Sequence, residues 1–526
     1  MKRITTIIAA LATMALAGSC VKGFDEMNTP PFGVSDEELT QDNNFIGMHF
    51  PSIQQSIYYN YGGGGWGFQT IQNLNSDIWS GYMASPTNFK GGLNNQTYFL
   101  TNDWNDEHWL NTYRMVMTNQ LKVKEKCEQI SMETYGHFNA INTILRVLAM
   151  SRVVDEYGPI IYSKYGESKT GGTYDSAEDA YKQFFMELTA ATETLKGYVG
   201  KPAASFKNFD MAYGGQLDKW MRLSNTIRLR LAMRIVKFDA AWAKKEGESA
   251  IAAPQGLLQK EDAFTIRGFG WKHPLFTCSI LYNDIFVSAN VQSILEGYED
   301  PRLAKAGIAK KDKVIGVRTA MPNLDVWSDR YKAIISHINI TSDEMPARII
   351  SASEAYFLLA EAALRGWNAG GTAQSFYEAG IGASFAEFGT SVGDYLTSTK
   401  KPSAWKDPLR AEFDAPAVSK VSPSWNDATS DEERLEKIIT QKWIGGFPEG
   451  KNAFAEWRRT GYPRLFPVLK NESQGVISTE EGVRRFPYTL SEQRENPSGY
   501  AEAVKMLKGP DNGATRLFWD IKKSNL

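Results

Sequence analysis

The sequence has little cysteine and little histidine. Of its 526 residues three are Cys and five are His. No C-x-x-C or H-E-x-x-H spacing joins them, so no zinc-site pattern is present. A contiguous calcium-loop pattern is also missing, and we predict no metal site and no cofactor. Beyond Cys20, the thiols of Cys127 and Cys278 are interpreted as two buried side chains rather than a disulfide.

Charge of one sign is also lacking. The 58 Lys and Arg against 60 Asp and Glu give a formal net charge of -2 at pH 7, and no cluster of Lys and Arg follows one helix. This excludes the basic surface that a nucleic-acid-binding protein needs. After the N-terminus, no apolar run approaches the roughly 18 residues of a membrane helix. The composition, with 44 Gly, 21 Pro and 14 Trp, is typical of a folded globular protein.

The N-terminus carries a secretion and anchoring signal. Lys2 and Arg3 precede an apolar run, residues 4–17, which ends in the small residues of "LAGSC". This pattern predicts a signal peptide over residues 1–19, and a Cys directly after the small residues predicts lipidation of Cys20. An ordinary signal peptide with a chance Cys beside the cleavage site is the alternative. The polar segment 20–42 is interpreted as a lipidated flexible stalk.

Several segments repeat apolar residues with the 3.6-residue period of helices. In residues 217–238 seven apolar side chains fall three or four positions apart on one face: Leu217, Trp220, Leu223, Ile227, Leu231, Ile235 and Phe238. Similar patterns predict helices over residues 107–130, 137–158, 176–198, 348–366, 372–388, 431–444 and 450–459. Helices that follow each other in pairs, with small residues where turns approach, indicate helix–turn–helix repeats of the tetratricopeptide kind.

Two long regions, 58–109 and 254–346, are poor in helix pattern and rich in Gly, Asn, Trp and Tyr. Irregular segments of this length inside a compact domain are usually either functional or wrongly assigned as irregular, and we favour the first interpretation. We therefore expect these two regions to bind a ligand.

Two glycine-rich stretches imitate nucleotide-binding motifs. Residues 62–67 match G-x-G-x-x-G, but the segment before them is a poor buried strand and the nearest acid, Asp77, comes too soon. The stretch "GGFPEGK", residues 445–451, has P-loop spacing but is followed by Asn452 instead of Ser or Thr. The first is therefore not interpreted as a phosphate loop, and the second predicts a turn before a helix.

A series of blocks along the chain resembles one known family. In chain order they are "YGPIIY", "KWMRLSNTIRLRLAMRI", "SEAYFLLAEAALRG", "EGKNAFAEWRRTGYPRL" and the C-terminal "RRFPYTLSEQRENPSGYAEAVKMLKGPDNGATRLFWD". With the lipoprotein start, their order and joint presence resemble the SusD/RagB family of nutrient-binding outer-membrane lipoproteins. The blocks span nearly all of the expected mature protein.

The resemblance implies the fold, the location and the function. The expected fold is mainly α, with about four tetratricopeptide-like helix pairs as a scaffold, long ligand-binding loops and little β, in one domain over residues 43–526. The expected protein is anchored by lipid to the outer membrane and exposed at the cell surface. It would bind oligosaccharide nutrients and deliver them, as a lid, to a SusC-like TonB-dependent transporter. An oligopeptide ligand is the alternative.

Aromatic rings stack on sugar faces and amides bind hydroxyl groups, so the two irregular regions supply the candidate ligand-binding residues. Core packing is the alternative interpretation for each ring and is favoured for Trp79, Trp104 and Trp109. Trp66, flanked by glycines, is a candidate for either the ligand or the transporter. The predicted ligand-binding residues are Tyr61, Trp66, Phe68, Trp79, Tyr82, Asn88, Trp271 and Trp327.

An enzyme is the rival class. The sequence has no G-x-S-x-G elbow, but a pair of carboxylates could hydrolyse a glycosidic bond. Asp103, Asp106 and Glu107 are the first candidates, although such residues near a helix start are commonly solvated caps. We predict no catalytic residue. A further alternative is a pure scaffold that binds protein through its helical repeats and takes no free nutrient.

Overall fold

Helices are the predominant secondary structure in the computed structural model, which describes residues 41–59, 65–168, 171–201 and 204–526. The α-helices within these ranges are α1 Asn44–Gly47, α2 Phe50–Ile57, α3 Gly65–Phe68, α4 Asn102–Asn111, α5 Thr118–Ile130, α6 Met132–Tyr157, α7 Ala177–Lys196, α8 Leu217–Arg234, α9 Ala240–Ile251, α10 Ala289–Gly297, α11 Leu303–Ala306, α12 Leu324–Ile334, α13 Ala352–Leu364, α14 Ala373–Glu387, α15 Asp431–Gly446, α16 Gly450–Thr460, α17 Leu490–Glu495 and α18 Pro497–Leu507. Cys20 and the predicted signal peptide and most of the predicted stalk lie outside the described residues.

Strands are short and few in the described part of the chain. β1 (Met83–Ala84) pairs antiparallel with β3 (Phe286–Val287), and β2 (Phe264–Ile266) pairs antiparallel with β4 (Ala347–Ile350). Three segments are π-helical: Gln69–Asp77, Thr112–Met117 and Phe276–Leu281.

The long helices contact each other in successive pairs: α5 with α6, α7 with α8, α13 with α14, and α15 with α16. All elements from α2 onwards belong to one compact unit, Gly47–Leu526. The predicted fold class, mainly helical with about four helix pairs and little β, is confirmed.

The apolar periodicity of α8 explains its burial. Trp220, Leu223 and Ile227 are almost wholly buried, as expected from their spacing of three and four residues. Asp218 in the first turn and Arg234 in the last turn lie where the helix dipole favours their charges. The helix contacts α7 on one side and α9 on the other, so its apolar face forms part of the scaffold's core.

Several predicted helix boundaries differ from the structure. The helix predicted over residues 348–366 begins at Ala352, because the β-branched run before it pairs as β4 with β2. The helix predicted over residues 107–130 starts earlier, at Asn102, and is interrupted by the π-helical segment Thr112–Met117. Short helices also form inside both irregular regions. Their few turns give too little periodicity to be recognised in the sequence.

The stretch "GGFPEGK" is a turn between α15 and α16, as predicted. The carboxylate of Glu449 caps α16 by accepting hydrogen bonds from the backbone N of Lys451 at 3.2 Å and of Asn452 at 3.5 Å. The Lys451 side chain is buried, and its Nζ donates to Glu156 at 2.8 Å. The lysine that would bind phosphate in a P-loop is here part of the interior.

Cys127 and Cys278 are both buried and unpaired, which confirms the interpretation as two separate thiols. Burial raises the pKa of Cys127 to about 12 and raises the pKa of Cys278 as well. Both thiols therefore stay protonated at neutral pH and act as small apolar side chains.

Buried ion pairs join helices from distant parts of the chain. The guanidinium of Arg230 on α8 binds Glu354 on α13 through two bonds of 2.8 and 2.6 Å. Arg459 on α16 binds Glu361 on α13 through bonds of 2.7 and 2.8 Å. Burial alone would raise the pKa of Glu354, but Arg230 and Lys442 outweigh it and hold the pKa below its ordinary value. The carboxylate is therefore ionised in the interior.

Removing one partner of such a pair leaves the other charge unpaired in the interior. We expect Glu354→Gln to lower the free energy of unfolding by about 3–5 kcal/mol, measured by urea denaturation. The matched control is Glu178→Gln, which breaks the 2.8 Å ion pair with Lys182 on the exposed face of α7. The control should cost less than about 1 kcal/mol. Equal losses in the two variants would contradict a structural role for the buried pair.

Candidate functional site

A cleft of about 330 Å³ opens between the loop of residues 87–97 and the start of α12. Its volume lies in the range of small-molecule sites, roughly 300–1,000 Å³. Its walls are mostly polar and come from both irregular regions of the sequence, with Lys470 added from a third segment. We call it the loop–helix cleft; it is lined by Thr87, Asn88, Gly91, Gly92, Asn94, Gln96, Thr97, Ala320, Met321, Pro322, Asn323, Leu324, Asp325 and Lys470.

The loop of the cleft is fixed by its own hydrogen bonds. The Asn94 side chain accepts from the backbone N of Gln96 at 3.0 Å and donates to the carbonyl of Phe89 at 2.9 Å. The hydroxyl of Thr97 donates to the carbonyl of Gly92 at 2.7 Å. Gly91 and Gly92 have φ of 65° and 86°, which glycine adopts without steric cost. The loop is thus shaped before any ligand arrives.

Three polar side chains of the cleft have no partner among the described residues. They are the amides of Asn88 and Asn323 and the carboxylate of Asp325. Asn323 has φ of 59° and precedes α12 without a side-chain capping bond. Amides can donate and accept, and a carboxylate accepts, so together they can bind hydroxyl or amide groups of a neutral ligand.

Trp327 lies one helical turn beyond Leu324, a residue that lines the cleft. Its ring is half-buried and packs against the small core cluster that contains Leu324 and Tyr331. The guanidinium groups of Arg330 and Arg410 lie 4.8 and 5.0 Å from the ring centroid. The edge of the cleft therefore carries an aromatic ring that is partly open to solvent.

Asp284 ties the cleft loop to two neighbouring segments. Its carboxylate accepts from the hydroxyl of Thr87 at 2.6 Å and from the amide of Gln69, in the π-helical segment after Trp66, at 3.3 Å. The ammonium of Lys332 on α12 lies 3.4 Å away. One carboxylate thus fixes both walls of the cleft relative to each other.

The structure places four of the predicted ligand-binding residues in the core. Three of them satisfy their polar atom internally: the indole Nε1 of Trp79 donates to Asn95 O at 3.0 Å, that of Trp271 donates to Met345 O at 3.0 Å, and the hydroxyl of Tyr82 donates to Trp443 O. Because their faces are covered by other rings and side chains, they offer no surface for a ligand. The four are Phe68, Trp79, Tyr82 and Trp271.

Trp66 is 61% exposed on the short helix α3. It does not line the loop–helix cleft. Tyr61 lies outside the described residues. Of the predicted residues, Asn88 lines the cleft and Trp327 stands beside it.

Asn323 and Asp325 were not predicted from the sequence. Their only signal was the motif "NLDVW", which groups an amide, a carboxylate and a ring.

The carboxylates proposed for a rival enzyme each have a structural partner. Asp103 forms an ion pair of 2.8 Å with Lys90, and Asp106 accepts from the backbone N of Leu490 at 3.3 Å. Glu107 accepts from the amide of Asn111 at 2.6 Å. Burial and the nearby Glu107 and Asp103 raise the pKa of Asp106 to about 6, although its bond with Leu490 N lowers it. None of the three lines the cleft.

Comparison with known proteins supplies the family. The model of the SusD-like family, described as SusD and RagB outer-membrane lipoproteins, matches residues 26–520. The chain belongs to the SusD/RagB family. No curated protein matches it.

Among the described residues, no helix has the length and apolar character needed to span a membrane, and no group of His, Cys, Asp or Glu is arranged to hold a metal ion.

Solved structures of family members share the fold. A chitin-binding SusD homologue from Flavobacterium johnsoniae is 44% identical, with 91% of this chain and 100% of that chain covered and a TM-score of 0.86. A SusD homologue from Bacteroides vulgatus is 35% identical, with coverages of 94% and 100% and a TM-score of 0.87. A homologue from Bacteroides uniformis is 34% identical, with coverages of 91% and 99% and a TM-score of 0.83.

Next to Trp271, the buried imidazole of His273 makes stability depend on pH. Burial lowers the pKa of His273 to about 3 in the folded state, against about 6.5 in the unfolded chain. Between these values the unfolded state binds the proton, so stability falls as the pH falls. Between pH 7 and pH 4, we expect the free energy of unfolding of His273→Asn to fall by about 3 kcal/mol less than that of the wild-type protein. The measurement is urea denaturation at each pH.

The Asn side chain can still accept the hydrogen bond that the ring Nδ1 takes from Leu275 N at 3.3 Å. The difference between wild type and His273→Asn therefore reports the protonation of the imidazole and not the loss of a buried hydrogen-bond acceptor. Parallel pH curves for the two proteins would show that His273 does not titrate in this window.

Proposed function

We propose that this lipoprotein binds oligosaccharides in the loop–helix cleft and delivers them to a SusC-like TonB-dependent transporter in the outer membrane. The observation that carries the proposal is the convergence of three polar groups without partners among the described residues, Asn88, Asn323 and Asp325, near the half-buried ring of Trp327. Amides and carboxylates bind hydroxyl groups, and an aromatic face stacks on a sugar ring. This is the combination that a neutral, polar ligand requires.

Chitin oligosaccharides are the first ligands to test, because the relative from Flavobacterium johnsoniae, 44% identical over its whole length, is described as chitin-binding. The acetamido groups of such sugars carry an N–H and a C=O, which match the free amides and carboxylate of the cleft. A peptide backbone presents the same two groups, so an oligopeptide is the second candidate.

We propose a binding role without catalysis. Catalytic carboxylates of glycosidases stand in pairs about 5–9.5 Å apart across the bond they cleave. In the loop–helix cleft Asp325 is the one carboxylate among the lining residues. Binding and release, with affinity modest enough for transfer to the transporter, is the activity that this lining supports.

The ligand class can be tested by calorimetric titration of the intact protein in detergent with chitin oligosaccharides and, separately, with oligopeptides. We expect sugar binding that Trp327→Ala weakens about tenfold or more, or about 1.4 kcal/mol, through the lost stacking face. The matched control is Trp66→Ala, which removes an exposed Trp outside the cleft. Loss of binding with Trp66→Ala but not with Trp327→Ala would place the ligand at the other surface, and binding of peptides alone would replace the sugar.

Anchoring through Cys20 has a separate test. We expect the wild-type protein to fractionate with the outer membrane and to be digested by protease added to intact cells. Cys20→Ala should release it from the membrane fraction, because the substitution removes the thiol that would carry the lipid. Unchanged membrane association of Cys20→Ala would contradict the lipid anchor and would support an ordinary signal peptide with a chance Cys.

A further inference from the structure

A second cleft, of about 530 Å³, lies apart from the residues described above. It is formed by the end of α4 with the π-helical segment Thr112–Met117, by the loop that follows α6, and by α17. π-helical turns often mark functional sites because they shift side chains out of the regular helical register. Here the segment places Tyr113 and Arg114 on the cleft. We call this the tyrosine cleft.

Three aromatic rings in successive tilted contacts line the tyrosine cleft. The ring of Trp109, which is buried, lies 4.9 Å from that of Tyr113, and Tyr113 lies 5.7 Å from Tyr165. Tyr113 and Tyr165 are half-buried. The hydroxyl of Tyr113 is held by Ile161, donating to its carbonyl at 2.9 Å, and that of Tyr165 lies 3.0 Å from the hydroxyl of Thr118. These hydroxyl contacts hold the two tyrosine rings in place at the lining of the cleft.

Charged side chains surround these rings without internal partners. Arg114, Lys164 and Glu495 make no hydrogen bond or ion pair through their side chains with any residue that the structure describes. A fourth group, Glu492, accepts from Tyr174 at 2.8 Å and from Asn496 at 3.2 Å. Among the lining residues that the structure describes, two positive and two negative groups leave no net charge. The cleft thus combines a fixed aromatic surface with free hydrogen-bonding groups and no preference for an ion.

The geometry points to a second carbohydrate-binding site in the tyrosine cleft, which holds a further part of the same oligosaccharide. This inference rests on the proposed function of the loop–helix cleft as a glycan site. Aromatic faces, free charged donors and acceptors, and zero net charge suit a neutral polyhydroxylated ligand.

The two clefts flank opposite ends of α4. Phe89, in the loop of the loop–helix cleft, packs on Trp104 with ring centroids 5.7 Å apart. Leu110, near the other end of α4, lines the tyrosine cleft. Trp104 and Leu110 are separated by roughly 9 Å along the helix axis, at 1.5 Å per residue. We infer that an oligosaccharide of several rings contacts both clefts, so that its binding at the second cleft becomes an intramolecular step.

The experiment compares the disaccharide and the hexasaccharide of chitin by calorimetric titration of the intact protein in detergent. In Tyr165→Ala we expect hexasaccharide affinity to fall at least about fivefold, because the second contact is lost, and disaccharide affinity to stay unchanged. The matched control is Tyr165→Phe, which keeps the ring and removes only the hydroxyl contact with Thr118. It should bind like wild type if stacking is the contribution of Tyr165. Thermal unfolding confirms that both variants are folded.

The outcomes separate the two proposals. Weaker binding of both sugars in Trp327→Ala, with no effect of Tyr165→Ala on either, overturns the second site and leaves the first. Loss of binding in Tyr165→Ala alone supports a site in the tyrosine cleft and overturns the assignment of the loop–helix cleft. If neither sugar binds the wild-type protein, both proposals fail. An equal loss of affinity in Tyr165→Phe and Tyr165→Ala would show that the ring itself contributes nothing to binding, which also overturns the stacking site.

Discussion

Ionised side chains buried between helices from distant parts of the chain are the constraint on which the scaffold depends. A buried ion is tolerated only where its partner stands at hydrogen-bonding distance. Arg230 on α8 therefore requires Glu354 on α13, and Arg459 on α16 requires Glu361 on α13. Apolar packing alone would be compatible with several rotations and shifts of these helices. The ion pairs form in only one arrangement of the helices. The clefts lie at the helix ends and loops, so their geometry is fixed by that arrangement.

The helical scaffold could be predicted because its signal is local. The apolar face of α8 and the N-terminal cap and last turn of α7 follow from residues a few positions apart. The partners of the buried charges could not be predicted, since Arg230 and Glu354 are more than a hundred positions apart and either alone resembles a solvated surface residue. The boundary errors have a similar origin, because β4 exists only through its pairing with β2.

The site was predicted at the level of regions and only partly at the level of residues. Gly, Asn and aromatic content indicated the two irregular regions, and both contribute to the loop–helix cleft. Composition does not say which ring faces outward. Trp79 and Trp271 pack inside because their indole N–H groups find backbone carbonyls there. Asn88 and Trp327 lie in the loop and the helix that form the cleft, and Asp325 was missed because a single exposed carboxylate has no local signature.

The left-handed turn at Gly91 and Gly92 constrains the backbone of the cleft more strongly than its side chains are constrained. Side chains with a Cβ are strained at such φ values, so the backbone outline of the cleft tolerates little change in sequence. The side chains of Asn88 and Asp325 have no partner among the described residues, and replacing them costs the scaffold little. A protein built in this way can acquire a preference for a different sugar through substitutions at a few positions while keeping the shape of the cleft and the stability of its helices.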